Sequence, residues 1–206
     1  MWYKNIKKEL ANLPGEAAHL EMIPFRLPSS DLQSNYNTAK LSAVMCLLFI
    51  KNSEMYGILM ERTEDGGKHS GQISFPGGKK ESDDPSLEYT ALRETDEEIG
   101  IHPDSVIVLG ELTEVYIPIS NFLIQPFLGI IDSDFDFKLS PLEVKSVFNF
   151  KVKDLLAPET KQNRTIKNHN GIGLKDIPCF ELDSKIVWGA TSLILNELKV
   201  ILERIR

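Results

Sequence analysis

One helix is delimited more clearly than any other element of this chain, and it lies between segments that favour β-structure. Asp84 suits the N-cap of that helix, Pro85 suits its first position, and Gly100 suits its exit. The strand-like runs before and after this helix indicate layers of helix packed around a sheet. The sequence therefore predicts an α/β or mixed α+β fold.

The β-favouring runs fix the expected order of the other elements. Residues 41–51 and 56–62 are two such runs separated by a short polar turn, which predicts a hairpin. Further along the chain we expect strands at 106–117, 122–131, 147–152 and 177–182, a short segment at 142–146, a polar loop before the last strand, and a terminal helix from about residue 187. No βαβ repetition supports a dinucleotide-binding fold of the doubly wound type.

Length and composition indicate one globular domain. The chain has 206 residues, of which 42% are hydrophobic and 26% are charged, and these are ordinary values for a folded protein. We expect a single domain over residues 1–206, with an N-terminal helical extension and connector at 1–39 and the core of the domain, which would carry any active site, at 40–206.

Charge and hydropathy exclude several classes of partner. The formal charge of −7 argues against binding nucleic acid or an anionic membrane through bulk charge. The longest apolar run, residues 41–50, is about half the roughly 20 residues that cross a bilayer. No secretory signal is recognisable at the N-terminus, and Cys46 and Cys179 lie among apolar residues, as expected of buried thiols. We expect a cytoplasmic protein with no nucleic-acid or membrane partner.

Three glutamates lie within five residues of the central helix. Glu94, Glu97 and Glu98 share one side of a helical projection. They lie beside an apolar stripe formed by Ala91, Leu92, Thr95 and Ile99. Two carboxylates about 4 Å apart would repel by roughly 4 kcal/mol at an effective dielectric near 20, and a divalent ion would remove that cost. Spacing alone leaves two interpretations open: a solvated acidic face, or a site for Mg²⁺ or Mn²⁺.

A glycine pair before the helix favours the second interpretation. Gly77 and Gly78 end the segment SFPGG, fifteen residues before Arg93, and such glycines let the backbone approach an ion or a phosphate. The pair fits neither GxGxxG nor GxxxxGK[ST], so the common phosphate-binding loops are excluded.

Together these residues resemble the Nudix box, GX5EX7REUXEEXGU, in which U is aliphatic. The residues that match it in register are Gly78, Arg93, Glu94, Glu97, Glu98, Gly100 and Ile101. Asp84 stands where the pattern has its first glutamate, eight rather than seven residues separate it from Arg93, and Thr95 is less apolar than the pattern asks.

The flanking sequence resembles one branch of that family. HSGQISFPGGKKESDD, running into TALRETDEEIG, is similar to the coenzyme A pyrophosphatase branch of the Nudix hydrolases, and the similarity extends over most of the chain from about residue 40. The resemblance implies an α/β/α sandwich around a mixed sheet. It also implies hydrolysis of CoA to 3′,5′-ADP and 4′-phosphopantetheine, with Mg²⁺ or Mn²⁺ as cofactor.

The resemblance also implies roles for individual residues. Glu94 and Glu98 would be the leading metal ligands, with Glu97 a third and the Gly78 carbonyl a fourth. Arg93 would orient the glutamates, so Arg93, Glu94 and Glu97 are catalytic candidates. The general base would be Glu94 itself or Glu143, although Glu143 could equally cap a short helix after Pro141.

Basic residues near the box are candidates for substrate binding. Arg62, His69 and Lys79 could meet a phosphate of the substrate, and the alternative for each is an ordinary surface charge. Two other functions stay open: a Nudix hydrolase of broader range acting on ADP-ribose, dinucleotides or nucleoside triphosphates, and a non-catalytic nucleotide-binding module. Family tendency adds a homodimer as an expected assembly.

Overall fold

The computed structural model describes residues 3–23, 31, 36–64, 70–167, 171 and 173–205. The helices within these residues are α1 (Lys4–Glu9), α2 (Glu16–Leu20), α3 (Leu87–Ile99), α4 (Val152–Leu155) and α5 (Ala190–Glu203). The strands are β1 (Lys40–Lys51), β2 (Glu54–Arg62), β3 (Ile73–Ser74), β4 (Gly77–Lys79), β5 (Val106–Glu111), β6 (Val115–Ile117), β7 (Phe122–Ile131), β8 (Val144–Lys151), β9 (Lys161–Lys167), β10 (Gly173–Leu182) and β11 (Lys185–Val187).

The main sheet is mixed and is centred on β1. Its order is β3-β2-β1-β7-β5, and β4, β6 and β8 pair with β1, β7 and β2 respectively. Strands β1 and β7 run parallel, whereas the remaining pairs are antiparallel. A second, antiparallel sheet has the order β11-β10-β9.

The predicted hairpin of residues 41–62 is confirmed as β1 and β2. Asn52 and Ser53 connect the strands with φ angles of 51° and 62°. Positive φ at both central residues is the requirement of a tight hairpin turn whose twist matches that of the strands. This turn sets the register in which Leu48 pairs with Gly57.

Helices cover both faces of the main sheet, as the mixed α/β prediction required. Alternate β1 side chains such as Met45 and Leu47 join the cluster that includes α3. Cys46 and Leu48 point to the other face, where α1 and α5 contribute to a second cluster. The sheet therefore lies between helical layers.

The N-terminal helices are attached to α5 through one buried carboxylate. Glu197 is fully buried and accepts hydrogen bonds from Gly15 N (3.1 Å), Thr113 N (3.0 Å) and Thr113 Oγ1 (2.6 Å). His19 Nε2 lies 3.3 Å from Glu197 Oε2. Burial favours the neutral acid, but the hydrogen bonds from His19 and Thr113 outweigh it and lower the pKa of Glu197.

Several expected boundaries differ from those observed. The N-cap of α3 is Ser86, whose side chain accepts from Tyr89 N at 3.1 Å, so the expectation that Asp84 caps the helix was wrong. Gly100 does end the helix in a left-handed conformation, with φ 75°. The terminal helix begins at Ala190 rather than near residue 187.

Strands also differ from expectation in two places. The run at 106–117 is divided into β5 and β6, with a register irregularity against β7 between Val108 and Gly110. The expected polar loop contains β9, which pairs with β10 from Lys161 to Lys167. Much of the expected connector before β1, residues 24–30 and 32–35, lies outside the described residues.

Both cysteines are buried free thiols, as expected, and burial raises the pKa of each thiol. Among the described helices, none combines the length and apolar character needed to cross a membrane.

Candidate active site

The three glutamates of α3 occupy three different environments. The side chain of Glu98 is 2% exposed, that of Glu94 is 15% exposed, and that of Glu97 is 56% exposed. Helical geometry places residues 94, 97 and 98 on neighbouring positions of one side, and the packing of α3 on β1 and β4 then buries only part of that side. The predicted acidic side of α3 therefore runs from the core at Glu98 to solvent at Glu97.

Glu98 bridges the glycine loop and β2. One carboxylate oxygen accepts from Gly77 N at 2.8 Å, and the other lies 3.0 Å from Arg62 Nη1. A Cβ on Gly77 would lie 2.3 Å from Ala43 O, so only glycine fits where this backbone approaches β1. The glycine thus lets the loop present its amide to the buried carboxylate.

Gly78 makes room for Glu94. A Cβ on this glycine would lie 2.4 Å from Glu94 Cδ, far inside van der Waals contact. The carboxylate of Glu94 is also 3.0 Å from Arg93 Nη2. The glycine pair and the helix therefore meet through Glu94 and Glu98, which brings together three of the four predicted metal ligands: Gly78, Glu94 and Glu98.

Arg93 is held by a carboxylate whose role the sequence left open. Asp84 binds the guanidinium with both oxygens, from Arg93 Nε at 3.0 Å and Nη2 at 3.0 Å. Asp84 also accepts from Glu81 N and Thr90 Oγ1, each at 2.9 Å. Asp84 is therefore a buried partner that orients Arg93, and the hydrogen bond from Arg93 lowers the pKa of its carboxyl well below the usual range.

Arg93 in turn connects the remaining glutamate. Its Nη1 lies 2.8 Å from Glu97 Oε2, four residues along the helix. The hydrogen bonds to Asp84 raise the pKa of Arg93, so the guanidinium stays charged. In this arrangement Glu97 is turned towards Arg93 at the solvent edge.

Burial disfavours the ionised form of the Glu94 and Glu98 carboxyl groups. It raises the pKa of Glu98 to about 7, more than the hydrogen bond from Gly77 and the charge of Arg62 lower it. Burial also raises the pKa of Glu94, against the opposing effect of Arg93. Two desolvated carboxylates with raised pKa values, beside a backbone that only glycine permits, fit a hard divalent cation.

Glu97 does not join the group formed by Gly78, Glu94 and Glu98. Within the described parts of the chain, no three histidine, cysteine or acidic side chains converge closely enough to hold a metal ion. Arg62 forms an ion pair with Glu98, and Arg93 forms one with Glu97, whose side chain is more than half exposed. The metal-binding role of Glu94, Glu97, Glu98 and Gly78 stays a prediction.

Glu143 lies at the mouth of the same site. It is exposed in the turn that precedes β8, and its carbonyl accepts from Thr63 N at 3.0 Å. Because Thr63 follows Arg62, this bond holds Glu143 beside the end of β2 that contacts Glu98. The negative charge of Glu143 is among the smaller causes of the raised pKa values of Glu94 and Glu98. The alternative of a helix cap does not describe it, because residues 141–143 form a turn that leads into a strand.

The predicted substrate-binding residues are placed unevenly. Arg62 reaches into the site through its contact with Glu98. Lys79 is exposed at the end of β4, where its carbonyl lies 3.4 Å from Arg93 Nη2. His69 falls outside the described residues.

Comparison with known proteins agrees with this geometry. The sequence model of the NUDIX domain family matches residues 39–167 of this chain. A Citrobacter koseri protein named "Uncharacterized Nudix hydrolase NudL" is 35% identical over 141 residues, covering 68% of this chain and 72% of the relative. A protein of the same name from Yersinia enterocolitica is 29% identical over 171 residues, covering 83% and 84% respectively.

A solved structure extends the agreement to the fold. The Nudix hydrolase RenU from M. smegmatis superimposes with a TM-score of 0.56 at 12% sequence identity, covering 81% of this chain and 88% of that one. The matched domain contains the glycine pair, α3 and the strand that carries Arg62. The protein is therefore an enzyme of the Nudix hydrolase family.

Proposed function

We propose that this hydrolase cleaves the pyrophosphate bond of coenzyme A or its derivatives, giving 3′,5′-ADP and 4′-phosphopantetheine or its acyl derivative. The observation that carries the proposal of catalysis is the buried Glu98, held between Gly77 N and Arg62 and close enough to Glu94 for the two charges to interact. The choice of CoA rests on the segment HSGQISFPGG, which resembles the CoA pyrophosphatase branch.

The proposed cofactor is Mg²⁺ or Mn²⁺, held by Glu94, Glu98, Glu97 and the Gly78 carbonyl. When bound, such an ion screens the charge of the pyrophosphate and lowers the pKa of a coordinated water. Carboxylates that are buried and poorly compensated favour the binding of a divalent cation over leaving their charges in a low dielectric.

Residues of the chain are proposed to carry out the remaining steps of hydrolysis. The oxygen of water forms a bond to one phosphorus as the bridging P–O bond breaks, and the water's proton passes to a carboxylate. Glu143 is the proposed acceptor, because its side chain is exposed beside the site and its negative charge acts on both Glu94 and Glu98. Glu94 is the alternative acceptor.

Arg93 and Arg62 act as positioning residues in this scheme. Arg93 is fixed by Asp84 and holds Glu97, so its fork keeps one side of the acidic helix in place. Arg62 extends towards Glu98 from the last position of β2, where its guanidinium can meet a phosphate oxygen. Lys79 and His69 are proposed further contacts to the substrate.

The test is a substrate comparison with purified protein. CoA, ADP-ribose, NADH and dATP are incubated separately with Mg²⁺ and with Mn²⁺, and products are identified by mass. We expect 3′,5′-ADP and 4′-phosphopantetheine from CoA at the highest kcat/KM. Faster turnover of ADP-ribose or dATP would instead support the broader hydrolase, and no turnover of any substrate would favour a non-catalytic module.

The role of Glu143 has its own test. Glu143→Gln keeps the size of the side chain and removes its capacity to accept the proton. We expect kcat to fall about 10²-fold or more, with metal affinity changed much less. A kcat within about threefold of the original would assign the proton to Glu94.

A further inference from the structure

An open cavity of about 620 Å³ lies at the far end of the main sheet. Phe49 from β1 and Asn149 from β8 line it together with residues 131–137, the segment that follows β7. Small-molecule sites commonly have volumes of about 300 to 1,000 Å³. The cavity is therefore large enough for a compact ligand.

This cavity is separate from the candidate active site. The ring of Tyr56 stacks on Phe49 at the edge of the cavity, and Arg62 contacts Glu98 at the other end of β2. Tyr56 and Arg62 are six residues apart on that strand, which corresponds to about 20 Å. A ligand in the cavity would not touch Glu94 or Glu98.

Aromatic rings form one wall. The ring centroid of Phe135 lies 5.0 Å from that of Phe49, at 88°, and 5.3 Å from that of Phe137, at 74°. Phe135 and Phe137 are partly buried and pack on the cluster that includes α3. Aromatic faces carry negative electrostatic potential, which attracts cations.

Carboxylates form the rim. Asp132, Asp134 and Asp136 are exposed, and the described lining contains Lys51 as its one basic residue. None of the three aspartates forms a salt bridge with any residue of the described chain. The cavity thus has an excess of negative charge above an aromatic wall, a combination that suits a cation and disfavours a nucleotide.

The wall is anchored to the catalytic helix. Residues 132–137 have no regular secondary structure, but Lys138 N donates to Ile99 O at 3.0 Å and Ser140 N donates to Glu98 O at 2.9 Å. These bonds satisfy carbonyls at the C-terminal end of α3. The segment that lines the cavity therefore continues directly into the support of the Glu98 backbone.

We propose that this cavity binds a small planar organic cation with N–H donors, such as an amidinium or a guanidinium. Its flat face would pack on the exposed part of the Phe135 or Phe137 ring, because Phe49 is buried and stacked on Tyr56, and its N–H groups would donate to the rim carboxylates. The site is distinct from the candidate active site, and the segment that lines it also supports the C-terminal end of α3 through Lys138 and Ser140.

The test uses benzamidine as the probe and the neutral isostere benzamide as its comparison. The ¹⁵N-labelled full-length protein is titrated with each to about 10 mM, and amide shifts are followed by NMR. Benzamidine is expected to give saturable shifts at residues 132–137, with smaller ones at Lys138 and Ser140. Benzamide is expected to give at least about threefold weaker binding.

Variants test the rim directly. Asp134→Asn with Asp136→Asn should weaken benzamidine binding at least about threefold, whereas Asp183→Asn, an exposed change in the β10–β11 turn, should leave it unchanged. The proposal is overturned by equal affinity for benzamidine and benzamide, by unsaturable shifts, or by shifts that the double variant does not weaken.

Discussion

Glu98 and Glu197 are both almost completely buried, yet the pKa of Glu98 is raised and that of Glu197 is lowered. Glu197 accepts three hydrogen bonds from Gly15 and Thr113 and contacts His19, and its pKa is lowered. Glu98 has one amide and one guanidinium as partners and lies near two further carboxylates, and its pKa is raised to about 7.

The comparison shows that burial alone does not distinguish a structural carboxylate from a functional one. At Glu197 the donors come from separate parts of the chain, so the charge joins the N-terminal helices to α5. At Glu98 the nearby charges of Glu94 and Glu143 oppose ionisation, which leaves the group able to gain from an added cation.

The largest effect is expected from Glu197→Ala. The substitution leaves buried donors from Gly15, Thr113 and His19 without their acceptor, so the free energy of unfolding should fall by about 3 to 5 kcal/mol. Urea unfolding measures this loss. Glu203→Ala on the same helix removes an exposed carboxylate that pairs with Lys199, and it should cost less than about 0.5 kcal/mol. Equal losses would refute the role given to Glu197.

The next effect is expected from Glu98→Gln. Changes in groups that only support metal ligands typically cost about 10- to 100-fold, so removing the charge of Glu98, a proposed ligand, should lower kcat/KM by at least about 100-fold. The folded state should persist, because glutamine can still accept from Gly77 N. Glu88→Gln, an exposed change on the same helix, serves as the control. Full activity of the Glu98 variant would remove that residue from the site.

A smaller effect is expected from Gly78→Ala. The added methyl group would collide with the Glu94 carboxylate and must displace it, so kcat/KM should fall by about 10- to 100-fold. Gly173→Ala is a matched control, because its Cβ would meet Thr165 at an ordinary 3.6 Å. If both variants retain activity, close approach of the glycine to Glu94 is not needed.

The last prediction is a difference in pH dependence, measured as the free energy of unfolding in EDTA. Because the pKa of Glu98 is raised in the folded state, the folded protein holds this proton more tightly than the unfolded chain, and that stabilisation is lost as pH rises from about 4.5 to 7. The stability of the original protein should therefore fall relative to that of Glu98→Gln across that range. One proton limits the slope to about 1.4 kcal/mol per pH unit.

For Glu197 the sign is opposite. Its lowered pKa means that its contribution is present above about 4.5 and is lost as pH falls through the pKa of the folded state. The gap between the original protein and Glu197→Ala should therefore narrow on acidification. Gaps that change in the same direction for both glutamates would contradict the comparison.

The sequence was sufficient to predict the layers of the fold and the segment that forms the site. Regular spacing revealed α3, the first hairpin and the glycine pair, because each depends on local residue types. Strand β9 was missed because its residues are largely polar and exposed, and it is defined by pairing with β10. Non-local hydrogen bonding of this kind leaves little periodic signal.

The environments of the individual carboxylates could not be predicted either. The helical projection placed Glu94, Glu97 and Glu98 on one side, but packing against β1 and β4 decides which of them is buried. The function of Asp84 likewise depends on Arg93, nine residues away, and on a cap supplied instead by Ser86. Spacing along the sequence identifies the residues of the candidate site, whereas tertiary contacts determine the environment and partners of each one.

The contact between Arg62 and Glu98 has a consequence for the proposed metal site. Because Arg62 already balances the charge of Glu98, a divalent cation bound there would displace a guanidinium as well as water. The displaced guanidinium would belong to the last residue of β2 and would stay within reach of the site. Under the proposal, the positive charge of Arg62 would become available to an anionic substrate once the metal is bound, so that the two binding events would be ordered.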